Sequence, residues 1–115
     1  MTTTETRLPW ESRRTEESRR VEDLLLRLGG FQRAEAYRYN VASIRVRVID
    51  PRFEGMSLDA RDALVEPILA ELPEEIQADI MSLLTFAPSE MVQSRKTARE
   101  FALNVEFEEP SPSML

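Results

Sequence analysis

Val21, Leu24, Leu25 and Leu28 recur three and four residues apart with charged residues between them, which predicts an amphipathic helix. It begins near Pro9, a residue suited to a first helical position, or nearer Thr15. Gly29-Gly30 ends it, because glycine takes the left-handed cap conformation at little steric cost. Phe31 to Tyr39 alternates in part and carries aromatics, so it reads as a strand. Ile44, Val46 and Val48 alternate with Arg45 and Arg47, the signature of a half-buried strand. Asn40 marks a tight turn between the two, which predicts an antiparallel hairpin. Asp50-Pro51 closes the second strand, since proline cannot donate to a ladder. Ser57 is an N-cap for the next helix, with Asp59 in its first turn. Ala63, Leu64, Ile68 and Leu72 are its expected buried stripe, with a kink or early stop at Pro67. From Pro73 to Phe86 the pattern fits two states. Ile76, Ile80, Leu83 and Leu84 have helical spacing, while residues 79–86 also read as a short apolar strand, and periodicity cannot arbitrate. Pro88-Ser89-Glu90 starts a last helix through about Ala102, with Met91, Val92, Ala98, Phe101 and Ala102 as its apolar members. The expected division is an N-terminal tail (1–14), one folded domain (15–103) and a disordered acidic tail (104–115).

Composition removes whole classes of chemistry. The 115 residues include no cysteine and no histidine. Thiolate metal sites, cysteine nucleophiles and the usual neutral-pH general base are therefore absent. The remaining metal donors, carboxylates and carbonyls, suit hard cations. Met1-Thr-Thr-Thr-Glu has neither a basic nor an apolar leader region, and the apolar runs are too short to span a bilayer, so the expected location is cytoplasmic. The net charge of −6 disfavours nucleic acid overall, yet it is unevenly spread. Five arginines (Arg33, Arg38, Arg45, Arg47, Arg52) stand against Glu35 and Asp50 between Phe31 and Phe53, and eight acids stand against Arg61 alone between Glu54 and Asp79.

Several constellations invite a sharper reading. Asp59, Asp62 and Glu66 share a helix face, as a cation site would, though a solvated helix start explains them as well. Glu74, Glu75 and Asp79 stand in the same position. Arg45 and Arg47 lie on one strand face with Arg38 on the neighbouring strand, which offers either a nucleic-acid surface or cross-strand ion pairs. Ser57, Ser82 and Ser89 have no histidine to activate them, and a Ser–Lys pair would need Lys96, the only lysine. Tyr37 and Tyr39 are expected to pack on a sheet face. Trp10 is expected to pack on the core, with a partner's pocket as the alternative.

From Arg52 to Val65 the residues Arg-Phe-Glu-Gly-Met-Ser-Leu-Asp-Ala-Arg-Asp-Ala-Leu-Val resemble the motif of the BolA family. The shared features are an arginine–phenylalanine strand end (Arg52, Phe53), a glycine two residues on (Gly55), Ser57-Leu, Arg61 and Leu64-Val65. Ser43-Ile-Arg-Val-Arg-Val-Ile-Asp resembles the family's central strand, with no gap needed through Val65. Leu83-Leu-Thr-Phe-Ala-Pro-Ser-Glu resembles its third strand running into a helix start, with Pro88 and Glu90 in the motif positions. The resemblance covers roughly Val21 to Glu100. It implies an α+β, KH-like fold in the order α-β-β-α-β-α: a three-stranded mixed sheet with three helices packed on one face. In that fold Asp79 to Phe86 is a strand reached by a right-handed crossover, Phe53 plugs the core, and Gly55 permits a turn.

Proteins of that family bind monothiol glutaredoxins and can share a [2Fe–2S] cluster with them. The resemblance places Asp79 where the family has its ligand histidine at the start of the third strand. It places Asp62 where a second family histidine stands, and the loop around Asn40 is shortened. The resulting expectation is a non-catalytic interaction module that binds a protein partner, glutaredoxin-like or other, without cofactor or metal. The expected assembly is a monomer or weak dimer. The alternatives are a nucleic-acid-binding regulator acting through the arginine-bearing sheet, and an iron–sulfur partner using Asp79 as ligand. The candidate surface comprises Arg38, Arg45, Arg47, Arg52, Arg61, Asp62 and Asp79.

Overall fold

A computed structural model describes residues 9–93 and 98–114. After a 3-10 turn at Pro9–Arg13 come helix α1 (Glu16–Arg27), strands β1 (Arg33–Asn40) and β2 (Ser43–Ile49), and a second 3-10 turn at Pro51–Phe53. Helices α2 (Leu58–Leu69) and α3 (Glu74–Asp79), strand β3 (Ile80–Phe86) and helices α4 (Pro88–Gln93) and α5 (Ala98–Glu108) follow. The result is an α+β fold on a three-stranded mixed sheet.

Local chemistry accounts for the element ends. Thr15 and Ser18 form a reciprocal capping box at the start of α1. At its other end Gly30 has φ +65°, and a Cβ on Gly29 would meet the Phe31 ring and the Leu25 carbonyl oxygen at 2.6 and 2.7 Å. Ser57 Oγ accepts from the Ala60 amide (3.2 Å), and α2 runs on through Pro67 without stopping there. The ambiguous stretch after Pro73 satisfies both patterns in turn: one short helix, then a strand.

β1 and β2 pair antiparallel, with Ala36 opposite Val46 and Glu35 opposite Arg47. β3 lies parallel to β2 on its other side, with Val46 opposite Leu83 and Val48 opposite Thr85. One sheet face carries the main core. Ala34, Ala36, Ile44, Val46 and Val48 meet Val21 and Leu25 of α1 and Val65 and Leu69 of α2, with Phe53 fully enclosed. Burying each of the valine, leucine, isoleucine and phenylalanine side chains contributes roughly 1.5–3 kcal/mol.

Five sequence expectations change here. The buried face of α2 is Arg61, Val65 and Leu69, while Ala63 and Leu64 point outward. β2 is not half-buried, because its second face is covered too. The expected helix from Pro88 to Ala102 is two helices, and α5 runs on to Glu108. Residues 104–108 are thus helical, and the chain beyond them lies against the hairpin: Tyr39 Oη donates to the Pro112 carbonyl (3.3 Å), and Asn40 Nδ2 donates to Ser113 Oγ (3.0 Å). Finally, α5 and the Pro9–Arg13 turn pack on the sheet face opposite α1 and α2. Trp10, Tyr37 and Phe107 form a second cluster there, with ring centroids 4.9–6.0 Å apart. Trp10 therefore belongs to the fold, as the packing reading expected.

Candidate interaction surface

The arginines of the sheet are consumed internally. Arg47 is 1% exposed. Its Nε donates to Glu35 Oε1 (2.9 Å), and its Nη1 donates to Asn104 Oδ1 (2.9 Å) and Glu108 Oε2 (3.0 Å), while the guanidinium lies over the Phe107 ring. Arg45 donates to Glu106 Oε2 (2.8 Å) and Tyr37 Oη (3.1 Å), and stacks 3.6 Å from the Tyr39 ring centroid. Burial works against its charge, but the bonds to Glu106 and Tyr37 prevail and hold its pKa above the ordinary value. Arg38 does not share this face. It stands opposite Ile44, on the α1 side, and pairs with Asp79 (3.0 Å) and Glu17 (3.5 Å). Arg52 pairs with Asp50 (2.9 Å) and lies over Phe31. The alternative of a phosphate-binding sheet face is thus corrected: α5 covers it, and its cations are paired with acids. Cross-strand pairing of arginine with acid does occur, beneath a helix and not in solvent.

Arg61, a candidate-surface and motif residue, and Glu90, a motif position, are brought together. Arg61 Nη1 and Nη2 donate to the two Glu90 carboxylate oxygens at 2.7 and 2.8 Å, and Nη1 also donates to the Thr85 carbonyl oxygen (3.0 Å). Glu90 also accepts from the Ala87 amide (2.8 Å). The hydrogen bond from Arg61 lowers the Glu90 pKa, and the same bond raises that of Arg61. This clamp ties α2 to the β3–α4 corner. Phe53 is fully buried, Gly55 has φ +74°, Ser57 caps α2 and Pro88 opens α4. Each of these motif positions has a structural task. Lys96 lies outside the described residues.

Asp62 and Glu66 face a shallow cleft. Neither has a hydrogen-bond or ion-pair partner among the described residues. Two adjoining hollows, of about 360 and 310 Å³, share Asp62 and Leu83 and follow the outer edge of β3 between α2 and α5. Sequence reasoning missed this cleft, because it arises only where the sheet stops.

No family model matches the sequence, and no curated protein matches it. Solved structures do. BolA1 from Mus musculus is similar at a TM-score of 0.54 and 20% identity, over 88% of this chain and 80% of that one. BolA1 from Arabidopsis thaliana is similar at 0.50 and 21% identity, over 66% of this chain and 96% of that one. The fold is BolA-like. Within a BolA-like frame Asp79 closes α3 immediately before β3, at the position where the resemblance puts the ligand histidine. The residues there do not fit an iron–sulfur cluster. The chain has no thiolate or imidazole to offer, and the Asp79 carboxylate is engaged by Arg38. Nor do Asp59, Asp62 and Glu66, or Glu74, Glu75 and Asp79, form a metal-binding group of three among the described residues.

Proposed function

We propose that this BolA-like chain is a non-catalytic interaction module, binding a protein partner by shape and charge with no metal shared across the interface. The observation that carries the reading is the Arg38–Asp79 ion pair, in which the carboxylate at the ligand position faces a guanidinium of the same chain. The donor inventory supports it: without histidine or cysteine there is neither imidazole nor thiolate for a cluster, and no imidazole to serve as the usual general base near neutral pH. The inward turn of Arg45 and Arg47 removes the reason for a nucleic-acid role, so that reading is not carried forward.

Mixing the full chain with a cluster-loaded monothiol glutaredoxin tests the metal half. The visible absorption and circular dichroism of the cluster should stay unchanged. A new spectrum that disappears in Asp79→Ala would overturn it. Affinity capture with and without a chelator tests the partner half: the captured protein should be retained in both.

A further inference from the structure

We infer that the open edge of β3 is a strand-addition site for an extended basic segment of a partner protein. This rests on the interaction-module reading and names the surface and the partner's chemistry.

The two edges of the sheet are treated differently. On the β1 edge, the Ala36 amide donates to Glu22 Oε2 (2.8 Å) and the Tyr39 carbonyl accepts from Arg13 (3.4 Å), so side chains blunt it. On β3, the Phe86 carbonyl accepts from the Asp50 amide (3.0 Å) toward β2 and the Thr85 carbonyl accepts from Arg61 on the opposite side, so Arg61 closes that end and the open stretch lies about Met81 and Leu83. Backbone groups alternate sides along a strand, so Leu83 and Thr85 present theirs outward. Apart from the bond to Arg61, those outward groups have no partner among the described residues. A bulge in the pairing with β2 falls at Met81, which is 69% exposed.

The cleft fits an added strand in shape and charge. Leu83 lies on the α2 side of the edge and Leu84 on the α5 side. The hollow between them also takes in Leu58 and Leu103, so alternate side chains of an incoming strand find apolar floor on both faces. The rim toward α2 carries Asp62 and Glu66, neither of them paired among the described residues. Across the two hollows Asp62, Glu66 and Glu100 outnumber Arg99, Arg61 being paired with Glu90; with the net charge of −6 this disfavours a second copy of the chain and favours lysine or arginine on the guest's α2 side.

The test uses the full chain, uniformly 15N-labelled, and a seven-residue peptide alternating Lys or Arg with Val or Ile. Three peptides are compared: the basic one, the same peptide with N-methylated backbone amides, and an acidic counterpart with Glu for the cations. The basic peptide should shift the amide signals of Met81 and Leu83, and N-methylation should abolish the effect by removing the donors. Asp62→Lys with Glu66→Lys should weaken binding by about tenfold at low salt, since two rim charges are reversed. Both acids are surface groups, and amide spectra confirm that the double variant folds. No shift on β3 at millimolar peptide, equal binding of the N-methylated or acidic peptide, or self-association of the chain through this edge would each overturn the proposal. The cellular partner separates the two readings. A partner still captured by the charge-reversed chain leaves the module reading standing and removes the edge assignment. Capture of no partner by the wild-type chain removes both.

Discussion

Arg38 Nη2 stands 3.0 Å from Asp79 Oδ2, joining the β1 edge to the end of α3 across 41 positions of sequence. The two side chains are 21% and 30% exposed, so water screens the pair. Asp79→Asn should cost no more than about 1 kcal/mol, the usual worth of such pairs. Urea unfolding at low and high salt checks this, and the loss should shrink in high salt. A loss above about 3 kcal/mol would place the pair among buried, essential ones.

Arg47 is the opposite case. Its removal leaves Glu35, itself 7% exposed beneath α5, with Arg33 (2.8 Å) as its remaining ion-pair partner, and takes the donor from Asn104 and Glu108. Arg47→Ala should therefore cost about 3–5 kcal/mol, the range for breaking a buried pair. Arg47→Lys should recover part of that loss, since an ammonium cannot serve Glu35, Asn104 and Glu108 with the same fork. Equilibrium unfolding of both variants is the measurement.

Phe107 touches Trp10 at a ring-centroid distance of 5.5 Å, so tryptophan emission reports on the docking of α5. Phe107→Ala should cost about 3–5 kcal/mol and shift the emission of the folded protein to the red. Emission unchanged in the folded variant would show that α5 does not shelter the indole in solution.

Glu22 gives a pH dependence. Burial raises its pKa, outweighing the lowering by the Ala36 amide and by Arg14. The folded state therefore holds this proton to higher pH than the unfolded chain. The contribution is full below the ordinary carboxylate value of 4.5 and is lost as pH rises through the folded value. Glu22→Gln should flatten that decline and leave stability at pH 7 equal or higher. Glu22→Ala should cost about 1–3 kcal/mol, because the Ala36 amide is left without an acceptor. Thermal denaturation between pH 4 and 8 distinguishes the two.

Glu106 runs the other way. The Ser111 hydroxyl, then the Ser111 amide and Arg45, hold its carboxyl at about 2 against the partial burial that would raise it. Its contribution is present above the ordinary value of 4.5 and is lost as pH falls toward about 2. Ser111→Ala should move the Glu106 titration, followed by carboxyl-carbon NMR, up toward that ordinary value.

Much of this was legible in the chain itself. The Gly29-Gly30 stop, the hairpin about Asn40 and the Ser57 cap are written in residues that act within a few positions of themselves, where propensity and hydrogen bonding are local. The motif from Arg52 to Val65 carried the fold class through its resemblance to the BolA family. The missing thiols and imidazoles bounded the chemistry before any coordinate was known. Tertiary structure decided the rest. Whether Arg45 and Arg47 faced solvent depended on α5, whose Asn104, Glu106 and Phe107 looked like part of a polar tail until they met the sheet. Val65 took the inward place that the pattern assigned to Leu64, because the face of α2 that meets the sheet core carries Arg61, Val65 and Leu69, a rotation fixed by packing against other elements. The stretch after Pro73 held two periodicities at once, and only pairing with β2 chose where the helix yields to strand. The open edge beside Leu83 exists because β3 has a neighbour on one side alone, a fact of topology that residue order does not contain.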